Sequence, residues 1–392
     1  MERLDDPCTE PRDGTDPEVY SMELGSGPFS LLIGSPFDAA APPPTYSSIH
    51  HLNRTRPTDK ASQTQGYELD KEGGLVCVDE RILQNQRGVM TDVIRQVASC
   101  LVRGRGIVGL SLPIRLFEPR STLERMLDRW SYMPTYYQGI LECDPLTRFK
   151  RTIAMAVGGL FVGPSQEKPF NPLLGETLQA SWPDGTEVFC EHTVHHPPIT
   201  NFYLIGHGFT FSGHLELTGK FKKNSLIGGI LGQVNIQFSD GQKVNYDYPE
   251  FRAGGMIFGK RTVNWQGEMH FSDPTNHFEA VIVFGPERKK SMFKKAIGKL
   301  DDFKGDIKAN GAPVAQIEGS WLNQLCIDGE VFWSSEHPPV FHSFPVNPLP
   351  SDWRYREDLV WLSKGNSNNA QKWKHKVENR QRLDRKLRGA TH

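Results

Sequence analysis

The sequence predicts an α+β fold that is mainly β, built on a long antiparallel sheet that closes on itself. Three observations predict it. Short runs of alternating apolar and polar residues recur from Phe189 to Trp333. The 37 glycines and 28 prolines among 392 residues favour many turns and short strands over a helical bundle. Helical periodicity is confined to segments ahead of this region and to the C-terminal tail. A sheet of that length tends to close and so remove its edges, and a wide barrel leaves an interior cavity suited to a ligand.

Residues 1–65 are rich in Pro, Ser, Thr, Gly and Asp, show no sustained period, and read as a disordered tail. Within it Pro43-Pro44-Thr45-Tyr46 fits P-P-x-Y, a polyproline segment with an aromatic anchor that WW domains accept. Pro43, Pro44 and Tyr46 would carry that contact with a WW-domain protein; the alternative is an incidental proline run. Leu75, Val76, Val78, Ile82 and Leu83 follow, between Gly73-Gly74 and Gly88. With those glycines as hinges, residues 70–88 would form a lid with an apolar inner face. The alternative is a linker packed against the barrel exterior.

Val89, Met90, Val93, Ile94, Val97 and Leu101 recur at helical spacing, and Gly104 and Gly106 stop that helix. A second helix starts at Ser121, where Ser121 and Glu124 form a capping box and Leu123, Met126, Leu127 and Trp130 make one face. Pro134 ends it. A third helix is predicted over Arg148–Val157. In the β region Val234, Ile236 and Phe238, then Val244, Tyr246 and Tyr248, alternate with polar residues around the turn signal Asp240-Gly241. Leu215–Leu217 and Phe278–Phe284 are further strands. Asn369–Arg388 is a charged helix.

The formal net charge of −1 creates no global field for nucleic acid, so no nucleic-acid partner is expected. The six cysteines are scattered without a C-x-x-C, which favours reduced thiols. Met1–Asp6 lacks the basic-then-apolar order of a signal peptide, and the longest apolar stretch, Ile153–Gly163, is too short to span a bilayer. A cytoplasmic chain, at most peripheral at membranes, is the expectation.

Three constellations carry chemistry. Glu191-His192-Thr193-Val194-His195-His196-Pro197-Pro198 ends a strand, because two prolines cannot continue a ladder. Two imidazoles offer up to four donors when protonated, suited to a phosphate, and an anion would raise their pKa. On the residues alone a structural His pair, a metal site with His192 and an anion clamp all stay open. Lys168-Pro169-Phe170-Asn171-Pro172-Leu173-Leu174-Gly175-Glu176 offers a point charge in Lys168 and a donor–acceptor in Asn171 on a stiff backbone. Lys374, Glu378 and Arg382 fall at i, i+4 and i+8, on one helical face where Glu378 reaches both neighbours.

The first two constellations resemble the E-Q-V-S-H-H-P-P and K-P-x-N-P-x-L-G-E signatures of the oxysterol-binding protein family. Lys374 to Arg382 is similar to that family's K-x-x-x-E-x-x-x-R, E-N-x-Q-R helix. The resemblance covers roughly residues 70–392 and divides the chain into a tail, 1–65, and a lipid-transfer domain, 66–392. It implies a large incomplete antiparallel β-barrel around a lipid tunnel, with N-terminal helices, a lid, and a C-terminal helix. It also implies a phosphatidylinositol 4-phosphate head-group site made of Lys168, Asn171, His195, His196, Lys374, Glu378 and Arg382. No catalytic residue, cofactor or metal is implied. Phe37-Asp38-Ala39 is similar to the F-F-D-A motif by which members dock at the endoplasmic reticulum, with Pro36 where an aromatic would stand.

His192, Thr193 and Val194 replace the usual Gln, Val and Ser. Glu118-Pro119-Arg120-Ser121, Asn224-Ser225-Leu226 and Glu378–Arg382 look like the phosphatidylserine-carrying branch, whereas its K-S-K-F segment becomes Thr218-Gly219-Lys220-Phe221. The expected function is therefore exchange of phosphatidylinositol 4-phosphate for a second lipid, phosphatidylserine favoured, with peripheral membrane contact. A sterol exchanger, a lipid sensor, and a metal-dependent lipid phosphoesterase using His192, His195 and His196 are the competing readings. One expected membrane surface is the basic run from Arg288 to Lys299 with Met292, Phe293 and Ile297 interleaved.

Overall fold

In Val234–Phe238 every second side chain is buried, and Lys243–Tyr246 repeats the pattern across a turn whose Gly241 has φ 99°. The same alternation builds the rest of the sheet in a computed structural model of the chain, which describes residues 52, 56–89, 93, 95, 111–162, 164–286 and 298–387. All of these belong to one unit, residues 44–392. The tail motifs at 37–46, most of the helix expected at 89–101, and the basic run from 287 to 297 lie outside the described residues.

The strands run β1 (Tyr67–Leu69), β2 (Leu75–Cys77), β3 (Phe117–Ser121), β4 (Lys168–Phe170), β5 (Thr177–Ser181), β6 (Glu187–Val194), β7 (Ile199–Gly206), β8 (Phe209–Lys222), β9 (Ser225–Leu231), β10 (Val234–Phe238), β11 (Lys243–Tyr246), β12 (Glu250–Gly254), β13 (Thr262–Asp273), β14 (Phe278–Phe284), β15 (Asp302–Ala309), β16 (Ala312–Ser320), β17 (Gln324–Ile327) and β18 (Glu330–Ser334). β3 and β4 form a separate parallel pair. The others make one sixteen-stranded antiparallel sheet.

Its register is a meander. β9 and β10 both pair with β8, Lys222 to Ser225 at one end and Phe209 to Phe238 at the other, so they are one strand broken at Gly232. β11 and β12 likewise share β10–β9 on one side and β13 on the other. The two end strands, β5 and β18, are joined through the chain between them. After Ser334 it returns to β5, where Ser181 and Ser343 exchange backbone hydrogen bonds at 2.9 and 2.8 Å and the Thr177 N–H donates to Ser351 at 2.9 Å. An irregular segment thus completes what is otherwise a partial ring.

The helices are α1 (Lys60–Gln63), α2 (Glu80–Gln86), α3 (Thr122–Leu127), α4 (Met133–Tyr137), α5 (Pro145–Gly158), α6 (Glu357–Ser363) and α7 (Ser367–Leu387). Asp144 caps α5 through the Leu146 and Thr147 amides, and most of the helix is buried against the sheet, with Phe149 on Phe271 and Phe278. The sequence predicted only its inner part. Ser121 caps α3 as expected, but Glu124 turns to Arg120 instead of closing the capping box. Pro134 does not end that helix. α3 gives way to a 3₁₀ turn at Asp128–Trp130, and Pro134 sits in the first turn of α4, where its missing N–H costs nothing.

The segment expected to be a lid is a hairpin with a helix behind it. β2 pairs with β1 and also with the start of β13, Leu75 to Val263, on the edge that β14 leaves at Gly267. Leu75 and Ile82 are buried, Val76 and Leu83 half-buried, and Val78 exposed. Gly73 and Gly74 are packed too tightly to serve as a free hinge: a Cβ on Gly74 would collide with the Asn264 amide, and its N–H donates to Asp301 at 3.0 Å. Gly88, by contrast, has open space around it.

Candidate functional site

The two sequence signatures meet through backbone. The Gly175 N–H donates to the His192 carbonyl at 2.8 Å, and the His192 N–H donates to the Glu176 carbonyl at 2.9 Å. Gly175 has φ 79°, which glycine adopts without strain. Lys168 is held from the other side by β3, where Phe117 pairs with it and Ser121 pairs with Phe170.

Lys168 donates to the Asn171 side-chain oxygen and, at 3.1 Å, to the Pro169 carbonyl. This leaves the Asn171 NH₂ to donate elsewhere. The Lys168 ammonium lies 5.3 Å from the Phe117 ring centre, and Lys374 lies 5.4 Å from the same centre. Burial, then the positive charges of Lys374 and Arg356, push Lys168 down to about 7. Lys374 is only 4% exposed. It donates to Glu378 and, at 3.1 Å, to the Ser111 hydroxyl, which donates to Glu378 at 2.7 Å. The tail helix is docked there by Gln371, which accepts from the Ile114 N–H at 2.8 Å. Arg382 is the outermost member, 3.9 Å from Glu378 and half exposed.

His195 and His196 occupy the turn between β6 and β7, their rings 4.8 Å apart, with a cis bond between His196 and Pro197. His192 is buried behind them. Its Nδ1 meets Thr200 Oγ1 at 3.1 Å and its Nε2 meets His195 Nδ1 at 3.2 Å. Burial, helped by the nearby His195 and Arg356 charges, pushes it down to about 3. Both His192 nitrogens are therefore engaged, and the ring is neutral at physiological pH. Among the described residues no group of three or more His, Cys, Asp or Glu is placed to hold a metal ion.

Sequence reasoning missed the residue that joins these parts. Arg356 donates to the Asn171 carbonyl at 2.5 Å, pairs with Glu176 at 3.1 Å and Asp358 at 2.9 Å, and lies over the Phe170 ring. Glu176 also accepts from Ser121 at 2.6 Å and from the Leu173 N–H at 3.0 Å. Glu118 and Arg120 work beside it: Glu118 takes Arg125 in a two-point pair, and Arg120 takes Asp128. The Glu118–Ser121 segment is thus scaffolding for the Lys168 loop. Ser111 and Phe117 were also missed, since neither type carries a signal apart from its neighbours.

Comparison with known proteins places this geometry. The family model described as oxysterol-binding protein matches residues 97–392. The chain is 33% identical over 337 residues to oxysterol-binding protein 9 of Dictyostelium discoideum, covering 80% of this chain and 79% of that protein. It is 25% identical over 301 residues to oxysterol-binding protein-related protein 8 of Homo sapiens, covering 73% of this chain but 32% of that protein. Among solved structures, the Osh3 ORD of Saccharomyces cerevisiae in complex with PI(4)P shares the fold at TM-score 0.60 and 23% identity, over 76% of this chain and 85% of that one. The Osh1 ORD domain in complex with cholesterol does so at TM-score 0.59 and 23% identity, over 72% and 77%.

Proposed function

The chain belongs to the oxysterol-binding protein family, lipid-transfer proteins rather than enzymes, and from that premise we propose that it binds phosphatidylinositol 4-phosphate and exchanges it for a second lipid between membranes. The observation that carries this reading is the pair Lys168 and Lys374. Lys374 is buried and Lys168 half-buried, their ammonium groups share one aromatic ring, and of the two only Lys374 pairs with a carboxylate among the described residues. Burying unpaired positive charge is costly unless an anion compensates it. A monoester phosphate, with three acceptor oxygens, fits that need and the donors of Asn171, His195 and His196. Arg382, with Glu378 beside it, supplies the outer charge. The Osh3 relative of the same fold was solved with PI(4)P.

The transfer domain on this reading is residues 66–392, with residues 1–65 a tail and residues 70–88 the lid. Acyl chains fill an apolar interior, and a covered tunnel spares them contact with water. Phosphatidylserine is the favoured second lipid, on the segments Glu118–Ser121, Asn224–Leu226 and Glu378–Arg382. Gly219 departs from that branch, and the Osh1 relative solved with cholesterol supports a sterol as the alternative. Contact with membranes is peripheral: among the described residues no helix is long and apolar enough to cross one.

Mass spectrometry of lipid co-purified with the chain from cells, followed by transfer assays between vesicles, tests this directly. Phosphatidylinositol 4-phosphate and a second lipid bound in mutually exclusive fashion are the expected result. Failure to extract phosphatidylinositol 4-phosphate from vesicles would overturn it.

A further inference from the structure

The loop from β12 to β13 carries two large, exposed apolar side chains: Ile257 is 53% exposed and Phe258 70%. The loop is rigid. Asn224 accepts from the Ile257 N–H at 2.6 Å and the Phe258 N–H at 3.3 Å, and its NH₂ donates to the Phe258 carbonyl at 2.7 Å. The Met256 N–H donates to the Asn224 carbonyl at 3.1 Å, and Arg261 reaches Met256 Sδ at 3.0 Å. Gly255 has φ 70° and sits so close to the Lys260 carbonyl that a Cβ there would collide with it. A side chain kept in water on so constrained a loop costs solubility with no packing gain. Exposed apolar tips of this kind mark contact surfaces.

Cations surround the tip. Lys222 ends β8 and Lys223 follows it in the turn that carries Asn224, both exposed, and Lys260 is exposed beside Phe258. Leu226 and Leu69 add exposed apolar surface on either side. Among the acidic residues of the adjoining hairpin, Asp70 is 3.8 Å from Lys260.

The tip projects from the end of the sheet that carries His195 and His196. β7 begins at Ile199 opposite Glu216, and the Leu217 N–H donates to the Pro198 carbonyl at 3.0 Å. β8 then continues to Lys222, about 17 Å farther at 3.4 Å per residue. The lid hairpin joins the same end at Thr262 and Val263.

We propose that Ile257 and Phe258, ringed by Lys222, Lys223 and Lys260, insert into the surface of an anionic membrane and hold the lid and the histidine end of the sheet against it. A convex tip of two side chains is too small for a stable protein interface, which takes ~800 Å² per partner. A bilayer accepts such a tip, and anionic lipid complements the lysines. The proposal rests on the lipid-transfer reading and names the surface it uses.

The test uses the full chain and vesicles of phosphatidylcholine with phosphatidylserine, alongside a water-soluble short-chain phosphatidylinositol 4-phosphate. The I257S/F258S variant should bind vesicles at least about tenfold more weakly, since each buried apolar side chain is worth roughly a factor of ten or more. It should bind the soluble lipid as the parent does. F258W should show a blue-shifted emission on vesicles, and K222E/K223E should remove most of the salt dependence. Vesicle binding by I257S/F258S equal to the parent's overturns the proposal, as does an unshifted F258W. If the parent ignores the soluble lipid while the tip variants still lose vesicle binding, the head-group reading fails and the membrane tip stands.

Discussion

Lys168 and Lys374 approach one ring, Phe117, at 5.3 and 5.4 Å, from strand β4 and helix α7, 206 positions apart in sequence (374 − 168). Lys168 is half-buried there, and its burial, then the positive charges of Lys374 and Arg356, opposes its protonation. Lys168 bears the cost and is pushed down to about 7, while Lys374 keeps Glu378.

On the proposed phosphoinositide reading, that arrangement makes head-group binding depend on pH, and the sign follows from linkage. In the empty site Lys168 loses its proton as pH rises through about 7. A bound phosphate favours the ammonium, so binding takes up a proton above that pH. Affinity for short-chain phosphatidylinositol 4-phosphate should fall as pH rises from 7 to 9, by up to about tenfold per pH unit. Titration calorimetry in buffers of different ionisation enthalpy measures the proton uptake. Lys168→Arg, which stays charged, should flatten the profile; an unchanged profile in that variant would assign the dependence elsewhere.

Replacing both His195 and His196 with Ala should abolish phosphatidylinositol 4-phosphate extraction and leave the fold intact. Both lie in a turn beyond the paired residues of β6 and β7. Charge-assisted contacts are worth about 1.5–3 kcal/mol each, so losing two costs on the order of 100-fold or more. Extraction at the parent level by the double variant removes the histidines from the site.

His192 stands where the family pattern has Gln, and its geometry gives it work. With its proton on Nδ1 toward Thr200, its Nε2 accepts from His195 Nδ1 and fixes the orientation of that ring. His192→Gln keeps an acceptor and should bind like the parent. His192→Leu should weaken head-group binding about tenfold. Equal binding by the two variants would leave His192 a packing residue.

The sheet was legible because alternation reports burial locally: the β10–β11 turn at Asp240-Gly241 and the strand at Phe278–Phe284 need no distant partner. The segment that returns from β18 to β5 was not, because Ser181 and Ser343 pair across 162 positions without a pattern of their own. The site divides in the same way. Lys168, Asn171, His195, His196, Lys374, Glu378 and Arg382 sit in recognisable strings. Arg356 does not, since its meaning comes from Asn171 and Glu176, 185 and 180 positions away.

Arg356→Met should therefore be severe although Arg356 lies outside all three signatures. It strands Glu176 and Asp358, both buried, and breaking such a pair costs about 3–5 kcal/mol. Burial already raises Glu176 above the usual carboxylate range, with Arg356 opposing that rise. Without Arg356 the carboxyl takes a proton more readily, and the variant's deficit should shrink as pH falls. Urea denaturation at several pH values checks both the size and the sign.

The β1–β2 hairpin and α2 are pinned to the loop that carries Lys168. Gln86 donates to the Gln166 carbonyl at 2.8 Å, the Tyr67 hydroxyl accepts from the Gln166 N–H at 2.7 Å, and Arg81 pairs with Glu167 at 3.0 and 3.2 Å. Arg81 is exposed, so its pair alone is worth about 0.2–1 kcal/mol; Gln86 is buried and its contact matters more. Arg81→Ala with Gln86→Ala should speed hydrogen exchange in residues 67–87 and leave β15 and β16 protected, because only the hairpin's outer fastening is lost. If these residues cover carried lipid, the same variant should leak lipid faster. Deleting residues 1–86 should then leave a folded barrel that touches vesicles and transfers poorly. Transfer at the parent rate by that truncation would show that the hairpin fills a sheet edge and covers nothing.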